Sequence, residues 1–394
     1  MTGAIVKLGF LHIGPPEHGV CRYGRLLAAE ARRRSQLDVL EQDVVLTGSS
    51  QDVARLYQAA IALSQMQVVH IQFTELIWGA DVLCYENLGQ FFRACRSPIV
   101  VTIHDTEPPQ SLLEMVGWRG RFRSGWQWGK ATIRGWLTDL GMGDRASLNN
   151  AEIRRWLVSR SAASLVCTQE EGRRLKAVVP PTHGSRIQVI PHYIEPRQFH
   201  FSRQEARQEL DLEGHRVVAL IGFIYDGKGY RLLVEALPLL PADVLVVFAG
   251  GAAPGAEPFV EELLQRADAL QVRDRLRITG YLPELEMEKY LLATDVPVCP
   301  YEVCYASSSL ASWFSAGRAI LTSDLPQFRE YAVLAKGAVC TFFPYTPEAL
   351  VEQIHVMLAS LEVPHPAALQ LKQQLAIEAV FDRHLQCYQM HSEQ

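Results

Sequence analysis

The sequence predicts an α/β protein built from two Rossmann-like, doubly wound domains. Short apolar stretches alternate with segments of helical spacing, a pattern typical of parallel sheets covered by helices. The alternation begins at residue 5, pauses at a polar stretch over 196–207, and starts again at residue 217. With 394 residues, the chain is long enough for two domains of ordinary size. We therefore place the domain boundary near residue 200.

Composition narrows the class of protein. The chain is 48% hydrophobic and 21% charged, as expected of a folded globular protein. Its net charge of −5 argues against nucleic acid as a partner, because phosphate backbones favour a basic surface. No apolar run reaches about 18 residues, so no membrane-spanning helix is expected. Eight cysteines without a C-x-x-C pair, and the lack of a signal-peptide pattern, favour reduced thiols and a cytoplasmic location.

Two loops of the first half carry candidate site residues. The loop that contains His18 and Gly19 joins the strand at 5–14 to a helix, where glycine serves either a bound phosphate or the backbone turn alone. His104 and Asp105 end the strand at 98–105, at a sheet edge where an imidazole can reach a substrate. A structural histidine beside a helix-capping aspartate is the alternative, which the spacing alone favours. A further strand is expected at 68–73, and the segments 163–171 and 187–194 complete the first sheet.

The segment 107–156 has an unusual composition. Aromatic and basic residues there suit a membrane interface or an aromatic acceptor groove, with Trp126 and Trp128 as candidate contacts. Two ordinary helices that pack their tryptophans inward are equally consistent with the pattern. The segment holds five of the seven tryptophans, interleaved with arginine and lysine: Trp118, Trp126, Trp128, Trp136 and Trp156.

The second half presents two candidate anion sites. Lys228 lies between two glycines just before a predicted helix at 230–240, where it can meet phosphate as a point charge; a solvated lysine is the common alternative. A strand at 295–300 leads to three serines, and a helix follows that closes at Gly317. The amides of its first turn have no intrahelical partner, so this helix can hold an anion such as a diphosphate. The serines alternatively serve only as an N-cap.

In order, the motifs of the second half resemble the retaining family 4 glycosyltransferases, the glycosyl transferases group 1, whose fold is called GT-B. The resemblance covers 217–331, with weaker similarity through the N-terminal half. The motifs are Gly-Phe-Ile…Lys-Gly, Ala-Gly-Gly, Ile-Thr-Gly-Tyr-Leu-Pro, Ser-Ser-Ser-Leu and Gly-Arg-Ala-Ile-Leu-Thr-Ser-Asp. The resemblance implies two domains facing a central cleft and transfer of a sugar from a nucleoside-diphosphate sugar to an unknown acceptor, with retention of configuration.

The resemblance also implies roles for individual residues. It makes His104 and Lys228 catalytic. We place His18, Asp105, Trp126 and Trp128 on the acceptor side, the two tryptophans on composition alone. Donor binding is assigned to Gly19, Gly222, Phe223, Lys228, Tyr281, Ser307, Ser308, Ser309, Leu310 and Ser312.

Departures from the family pattern keep a second interpretation open. Many members carry two glutamates eight residues apart in the donor segment, where this sequence has Cys304 and Ser312. A family arginine before the lysine is replaced at its candidate positions by Phe223 and Tyr225. The alternative is a catalytically altered GT-B protein, either a pseudo-glycosyltransferase or a non-enzymatic binding subunit.

These interpretations divide the chain into three parts. Residues 1–200 form an acceptor-side domain with the insertion at 107–156, residues 201–370 form the nucleotide-sugar domain, and 371–394 form a helix that crosses back to the first domain. No metal or other cofactor is expected. The partners are a nucleotide sugar and a glycan, lipid-linked or small-molecule acceptor. The insertion is a candidate for peripheral contact with the inner face of the membrane.

Overall fold

The computed structural model describes residues 5–16, 18–79, 81–104, 150–304 and 307–392. The chain forms two compact units. The first contains the residues up to His192 together with those from Ile377 onward, and the second is Tyr193–Ala376. These limits differ by a few residues from the predicted ones at 200/201 and 370/371.

The first unit is built on a six-stranded parallel sheet with the order β2-β1-β3-β4-β5-β6. All described residues of β3, β4 and β5 are buried, because helices cover both faces. The strands are β1 (Val6–Ile13), β2 (Leu37–Val44), β3 (Val68–Phe73), β4 (Ile99–Ile103), β5 (Ala163–Val166) and β6 (Ile187–Val189). The described helices of this unit are α1 (Gly19–Arg32), α2 (Gln51–Leu63), α3 (Glu75–Trp78), α4 (Asp81–Ala94), α5 (Asn150–Arg160), α6 (Gln169–Val178) and α15 (Ile377–Ser392).

The second unit repeats the architecture with the strand order β12-β11-β10-β7-β8-β9, again all parallel. The strands are β7 (Arg216–Ile221), β8 (Val244–Ala249), β9 (Leu276–Ile278), β10 (Val296–Cys299), β11 (Ile320–Ser323) and β12 (Val339–Phe342). The helices are α7 (Arg203–Glu209), α8 (Tyr230–Ala236), α9 (Glu257–Ala269), α10 (Glu284–Ala293), α11 (Ser308–Ser315), α12 (Pro326–Leu334), α13 (Pro347–Ala359) and α14 (Pro366–Gln374).

The predicted fold class is confirmed: each unit is a Rossmann-like α/β domain with a parallel sheet. The three strands that the sequence did not indicate, β2, β9 and β12, are edge strands of their sheets. β2 is only half-buried, so it lacks the continuous apolar run by which the central strands were recognised.

The single helix expected from residue 371 onward is wrong in one respect. The structure has two helices there, α14 and α15, with a break at Leu375 and Ala376. The backbone at this break is hydrogen-bonded to another part of the second unit: the amide of Ile194 donates a 2.7 Å hydrogen bond to the carbonyl of Leu375. Residues 377–392 then pack with the first unit, against α1, β1 and β3.

Within the described ranges, no helix has the length and apolar character needed to cross a membrane. Most of the insertion predicted at 107–156 lies outside those ranges. Its last tryptophan, Trp156, is described: it packs edge-on against Tyr85 and Phe92, with ring centroids 5.3 and 5.1 Å away. For this residue the inward-packing interpretation holds.

Candidate functional site

The order of the second sheet locates a binding crevice. Chain order reverses between β7 and β10, which are adjacent in the sheet, so the loops that follow these two strands diverge. In open parallel sheets, ligands bind outside the carboxyl ends of the strands at such a point. The loop after β7 contains Gly222 and Lys228, and the loop after β10 leads to the serines at 307–309.

Three predicted site residues meet at this point. Gly222 has a φ of +105°, which L side chains rarely adopt. A Cβ added at Gly222 would lie 3.1 Å from Nζ of Lys228 and 3.1 Å from Oγ of Ser309. Because Gly222 has no side chain, the amine of Lys228 and the N-terminus of α11, where Ser309 lies, face the same small space.

The ammonium group of Lys228 lies between aromatic rings. Its Nζ is 5.1 Å from the ring centroid of Tyr225 and 5.7 Å from that of Tyr301, and it donates a 3.4 Å hydrogen bond to the carbonyl of Phe223. No carboxylate of the described chain forms an ion pair with it. Burial lowers the pKa of Lys228 to about 8. A partly desolvated cation without a carboxylate partner is suited to an incoming anion.

The serine hydroxyls at the start of α11 bond to the protein itself. Oγ of Ser309 donates to the carbonyl of Ile221 over 3.0 Å, and Oγ of Ser312 donates to the carbonyl of Ser308 over 3.1 Å. Ser307 is the N-cap residue, and its hydroxyl lies 3.4 Å from that of Tyr301.

The remaining polar groups of this turn are backbone amides. The side chain of Leu310 is buried, so only its amide is placed to meet a ligand. No described residue accepts a hydrogen bond from the amides of Ser308, Ser309 and Leu310. Three amides at a helix N-terminus, with the positive end of the dipole, form an anion-binding arrangement.

Two aromatic side chains at the carboxyl ends of the strands of the second sheet are exposed to solvent. Tyr281 follows β9 and is 75% exposed, and Phe223 follows β7 and is 54% exposed. The backbone beside Tyr281 is close to the glycine turn after β8, since a Cβ at Gly251 would lie 3.1 Å from the amide nitrogen of Tyr281. An exposed ring at a sheet edge offers a flat apolar surface for a planar group.

The loop after β10 is fixed by hydrogen bonds to its backbone. The hydroxyl of Tyr345 donates to the carbonyl of Pro300 over 2.7 Å, and Nε2 of Gln327 donates to the carbonyl of Cys304 over 2.6 Å. Cys304 itself is buried. Residue 304 therefore contributes a buried thiol, and its carbonyl is held by Gln327.

A second group of predicted residues meets in the first unit. His104 directly follows β4 and is buried, and its Nε2 lies 2.8 Å from Oε1 of Gln72. The ring of Tyr23 packs edge-on against His104 with a centroid distance of 4.9 Å, and lies 4.8 Å from His192. Gly19 begins α1, and a Cβ added there would meet open space.

Electrostatics keep His104 neutral. Burial, together with the nearby histidines His192 and His18, lowers its pKa to about 3. His18 caps α1 by accepting a 3.3 Å hydrogen bond from the amide of Val20, and burial lowers its pKa as well. At neutral pH, His104 can therefore donate or accept a hydrogen bond without carrying charge.

Sequence reasoning missed the residues that surround these two groups. Gln72 and Tyr23 contact His104, while Tyr225 and Tyr301 flank Lys228. For Gln72 a signal existed: it follows His70 by two residues in a strand, so both side chains lie on one face. A polar pair on one face of a buried strand is a reason to look for a network.

Some predicted residues are not placed. Asp105, Trp126 and Trp128, expected on the acceptor side, lie outside the described residues. In the part of the chain that the structure describes, no group of three or more histidine, cysteine or acidic side chains could hold a metal ion.

The second unit, with its site, can be compared with known families. Residues 202–369 match the family Glycosyl transferases group 1. This segment includes the crevice between β7 and β10 and all of the second-unit residues described above. No curated protein matches the sequence.

Solved glycosyltransferase structures are similar to the whole chain. HepE of Anabaena, in complex with UDP-glucose, has a TM-score of 0.71 and 14% identity, covering 98% of this chain and 99% of that chain. Sucrose-phosphate synthase of Thermosynechococcus elongatus also gives 0.71 and 14%, covering 98% of each chain. A glycosyltransferase of Rickettsia africae gives 0.69 and 10%, again with 98% of each chain covered. At these identities the likeness shows the fold, two Rossmann-like domains as in GT-B glycosyltransferases.

Proposed function

We propose that this protein is a retaining glycosyltransferase of the group 1 family, of the type that transfers a hexose from a nucleoside-diphosphate sugar to an acceptor. The observation that carries the proposal is the convergence of Gly222, Lys228 and Ser309 on one space at the reversal point of the second sheet. The family match over 202–369 and the UDP-glucose bound by HepE support this choice of donor.

The donor diphosphate would lie against Gly222, where the missing side chain lets phosphate oxygens approach. Lys228 and the amides of Ser308 and Ser309 would take up the negative charge that develops as the nucleoside diphosphate leaves. This is electrostatic preorganisation, because the groups are already in place before the bond breaks. Since a cation and amides supply the charge stabilisation, the proposal needs no metal ion.

The nucleoside would extend toward Tyr281, whose exposed ring offers a stacking surface for the base. We assign the acceptor to the first unit, at the edge that carries His18 and His104. The neutral imidazole of His104 would hydrogen-bond a hydroxyl of the transferred sugar or of the acceptor. We further propose a cytoplasmic enzyme, with the insertion at 107–156 as a peripheral membrane contact.

The first test is binding followed by transfer. The purified protein is melted with UDP, ADP and GDP, since a nucleotide at 100 times its dissociation constant stabilises by about 2.7 kcal/mol. The nucleotide that stabilises then selects the sugar donors for hydrolysis and transfer assays.

Replacement of the lysine tests the site itself. We expect Lys228→Ala to leave the melting temperature of the free protein nearly unchanged and to lower kcat/KM by about a hundredfold. Lys336→Ala is the matched control, since it removes an exposed lysine of the same unit. Unchanged turnover in a folded Lys228→Ala variant would refute the assignment of this residue.

A second candidate function is nucleotide-sugar binding without transfer. It is favoured by the donor segment, where Cys304 is buried and the hydroxyl of Ser312 donates to its own helix. Neither supplies the carboxylates that the family resemblance leads us to expect there. Tight nucleotide binding without turnover of any donor would support this candidate, and no binding of any nucleoside diphosphate would exclude both.

A further inference from the structure

A chain of buried hydrogen bonds in the first unit ends at His104. The hydroxyl of Tyr388, on α15, lies 2.6 Å from Nδ1 of His70. Nε2 of His70 lies 3.3 Å from Nε2 of Gln72, and Oε1 of Gln72 lies 2.8 Å from Nε2 of His104. All four side chains are buried. Two residues of β3 thus connect α15 to a proposed catalytic residue.

The amide of Gln72 gives this chain a direction. An amide oxygen only accepts, so Nε2 of His104 must carry a proton and donate it to Oε1. An amide nitrogen only donates, so Nε2 of His70 acts as an acceptor toward Gln72, and the hydroxyl of Thr102, 2.8 Å away, can donate to the same nitrogen. The proton of His70 is then on Nδ1, facing Tyr388. One side chain therefore determines the tautomers of two histidines.

We propose that Gln72 is a positioning residue that holds His104 as the Nε2–H tautomer and leaves its Nδ1 as the hydrogen-bond acceptor for substrate. The inference deepens the proposed function, since it rests on the role given there to His104. Nδ1 of His104 accepts no hydrogen bond from the described residues, so its lone pair is available. A positioned acceptor suits a sugar or acceptor hydroxyl, which must lose its proton or share it during transfer.

Packing holds the backbone and Cγ of Gln72 in place. Its backbone carbonyl accepts a 2.8 Å hydrogen bond from Nε1 of Trp78, and it lies opposite Thr102 in the register of β3 and β4. A Cβ added at Gly24 of α1 would lie 3.0 Å from Cγ of Gln72, so the helix approaches as closely as the side chain permits. An amide that cannot rotate freely can impose its donor and acceptor pattern on its neighbours.

The surroundings of the network hold several titratable groups. His18, His192 and Tyr23 face His104, while His12, His384 and Tyr388 face His70. Beside His12, the carboxylate of Glu41 pairs with His12 and Arg32. Among the described residues, the charged groups that act on His104 are the histidines His192 and His18. A carboxylate introduced at residue 72 would stand where Oε1 of Gln72 lies, 2.8 Å from Nε2 of that imidazole.

The test reads the tautomer directly, by ¹⁵N–¹H NMR of the full chain with labelled histidine. His104→Gln identifies the resonances of His104. In the wild type we expect neutral His104 with the proton on Nε2 from pH 8 down to pH 5. A wild-type spectrum with the proton on Nδ1 would overturn the proposal without any variant.

Two variants and a control then test the role of Gln72. Gln72→Met keeps the length of the side chain and removes the amide, and we expect His104 to become a mixture of tautomers. Gln72→Glu places a carboxylate beside Nε2 and should raise the pKa of His104 by about one to three pH units. Thr102→Val is the matched control: Thr102 bonds to His70 over 2.8 Å, so its loss should leave the His104 signals unchanged.

An unaltered His104 tautomer in Gln72→Met would show that Gln72 does not position it. Activity is measured separately. If the tautomers change as expected, we predict at least about a tenfold loss of kcat in Gln72→Met with little change in donor KM. Changed tautomers with full turnover would refute the role of His104 in the proposed function and leave the positioning by Gln72 standing.

Discussion

At the scale of single residues, the charge of Lys228 is the property on which the proposed donor binding depends. Its pKa is lowered to about 8 because the ammonium is packed between rings and is partly removed from water. In the free protein, the charged form of Lys228 therefore has a higher free energy than it would have in water, and this difference is the cost of its burial. An anion beside it would remove that cost, and the pKa of Lys228 would rise on binding.

This coupling predicts the pH dependence of donor affinity. The free protein loses the lysine proton as pH rises through about 8, whereas the donor-bound protein keeps it to a higher pH. Binding above pH 8 must then take up a proton, so we expect affinity to fall by up to tenfold per pH unit in that range. Calorimetry in buffers of different ionisation heat measures the uptake.

Lys228→Arg provides the control for this prediction, because a guanidinium stays charged over the whole range. Its donor affinity should be weaker but independent of pH between 7 and 9. An equal fall in affinity for both proteins would assign the titration to another group.

At the scale of elements, the site depends on close contact between the loops that follow β7 and β10. Gly229 has a φ of +82°, and a Cβ there would lie 2.1 Å from the carbonyl oxygen of Pro300. The amide of Glu302 donates a 3.1 Å hydrogen bond to the carbonyl of Gly227. The backbones of the two loops touch, and this contact positions Lys228 relative to α11.

The chain provides a matched pair for testing this contact. Gly227 also has a left-handed φ, +92°, but a Cβ at that position meets nothing within 4 Å. Gly227→Ala should therefore cost only the backbone strain, about 1–2 kcal/mol. Gly229→Ala should cost more by at least about 1 kcal/mol, because the added carbon must displace a backbone carbonyl. Urea unfolding of both variants measures the difference, and equal losses would contradict a close contact.

At the scale of the whole molecule, buried histidines make the first unit sensitive to acid. Burial lowers the pKa of His104 to about 3 and that of His384 to about 4, and it lowers the pKa of His70 as well. The unfolded chain takes up these protons near pH 6.5, while the folded chain does not. Stability from these groups is thus complete above pH 6.5 and is lost progressively as pH falls.

His384 allows this to be measured. Its Nδ1 lies 3.0 Å from the carbonyl of Val380, and its Nε2 has no hydrogen-bond partner among the described residues. When the pH is lowered from 7 to 5, we expect the free energy of unfolding to decrease by about 2 kcal/mol less in His384→Leu than in the wild type. His355→Leu, at an exposed position of α13, should lose as much as the wild type. Parallel pH profiles for all three proteins would contradict the prediction.

The amino-acid sequence by itself determined the alternation of strands and helices, the two Rossmann-like sheets and the positions of Gly222, Lys228 and the serines. These features are local: burial on both faces of a strand produces an apolar run, and a turn with positive φ selects glycine.

Only the tertiary structure decided which groups meet. Gln72 lies beside His104 because strand order and register bring β3 next to β4, and Tyr301 lies beside Lys228 because β10 pairs with β7. The hydroxyl of Ser309 bonds to Ile221 for the same reason, leaving the amides to face the site. Local periodicity shows that a residue is buried, but its neighbour from a distant strand depends on how the whole sheet is assembled.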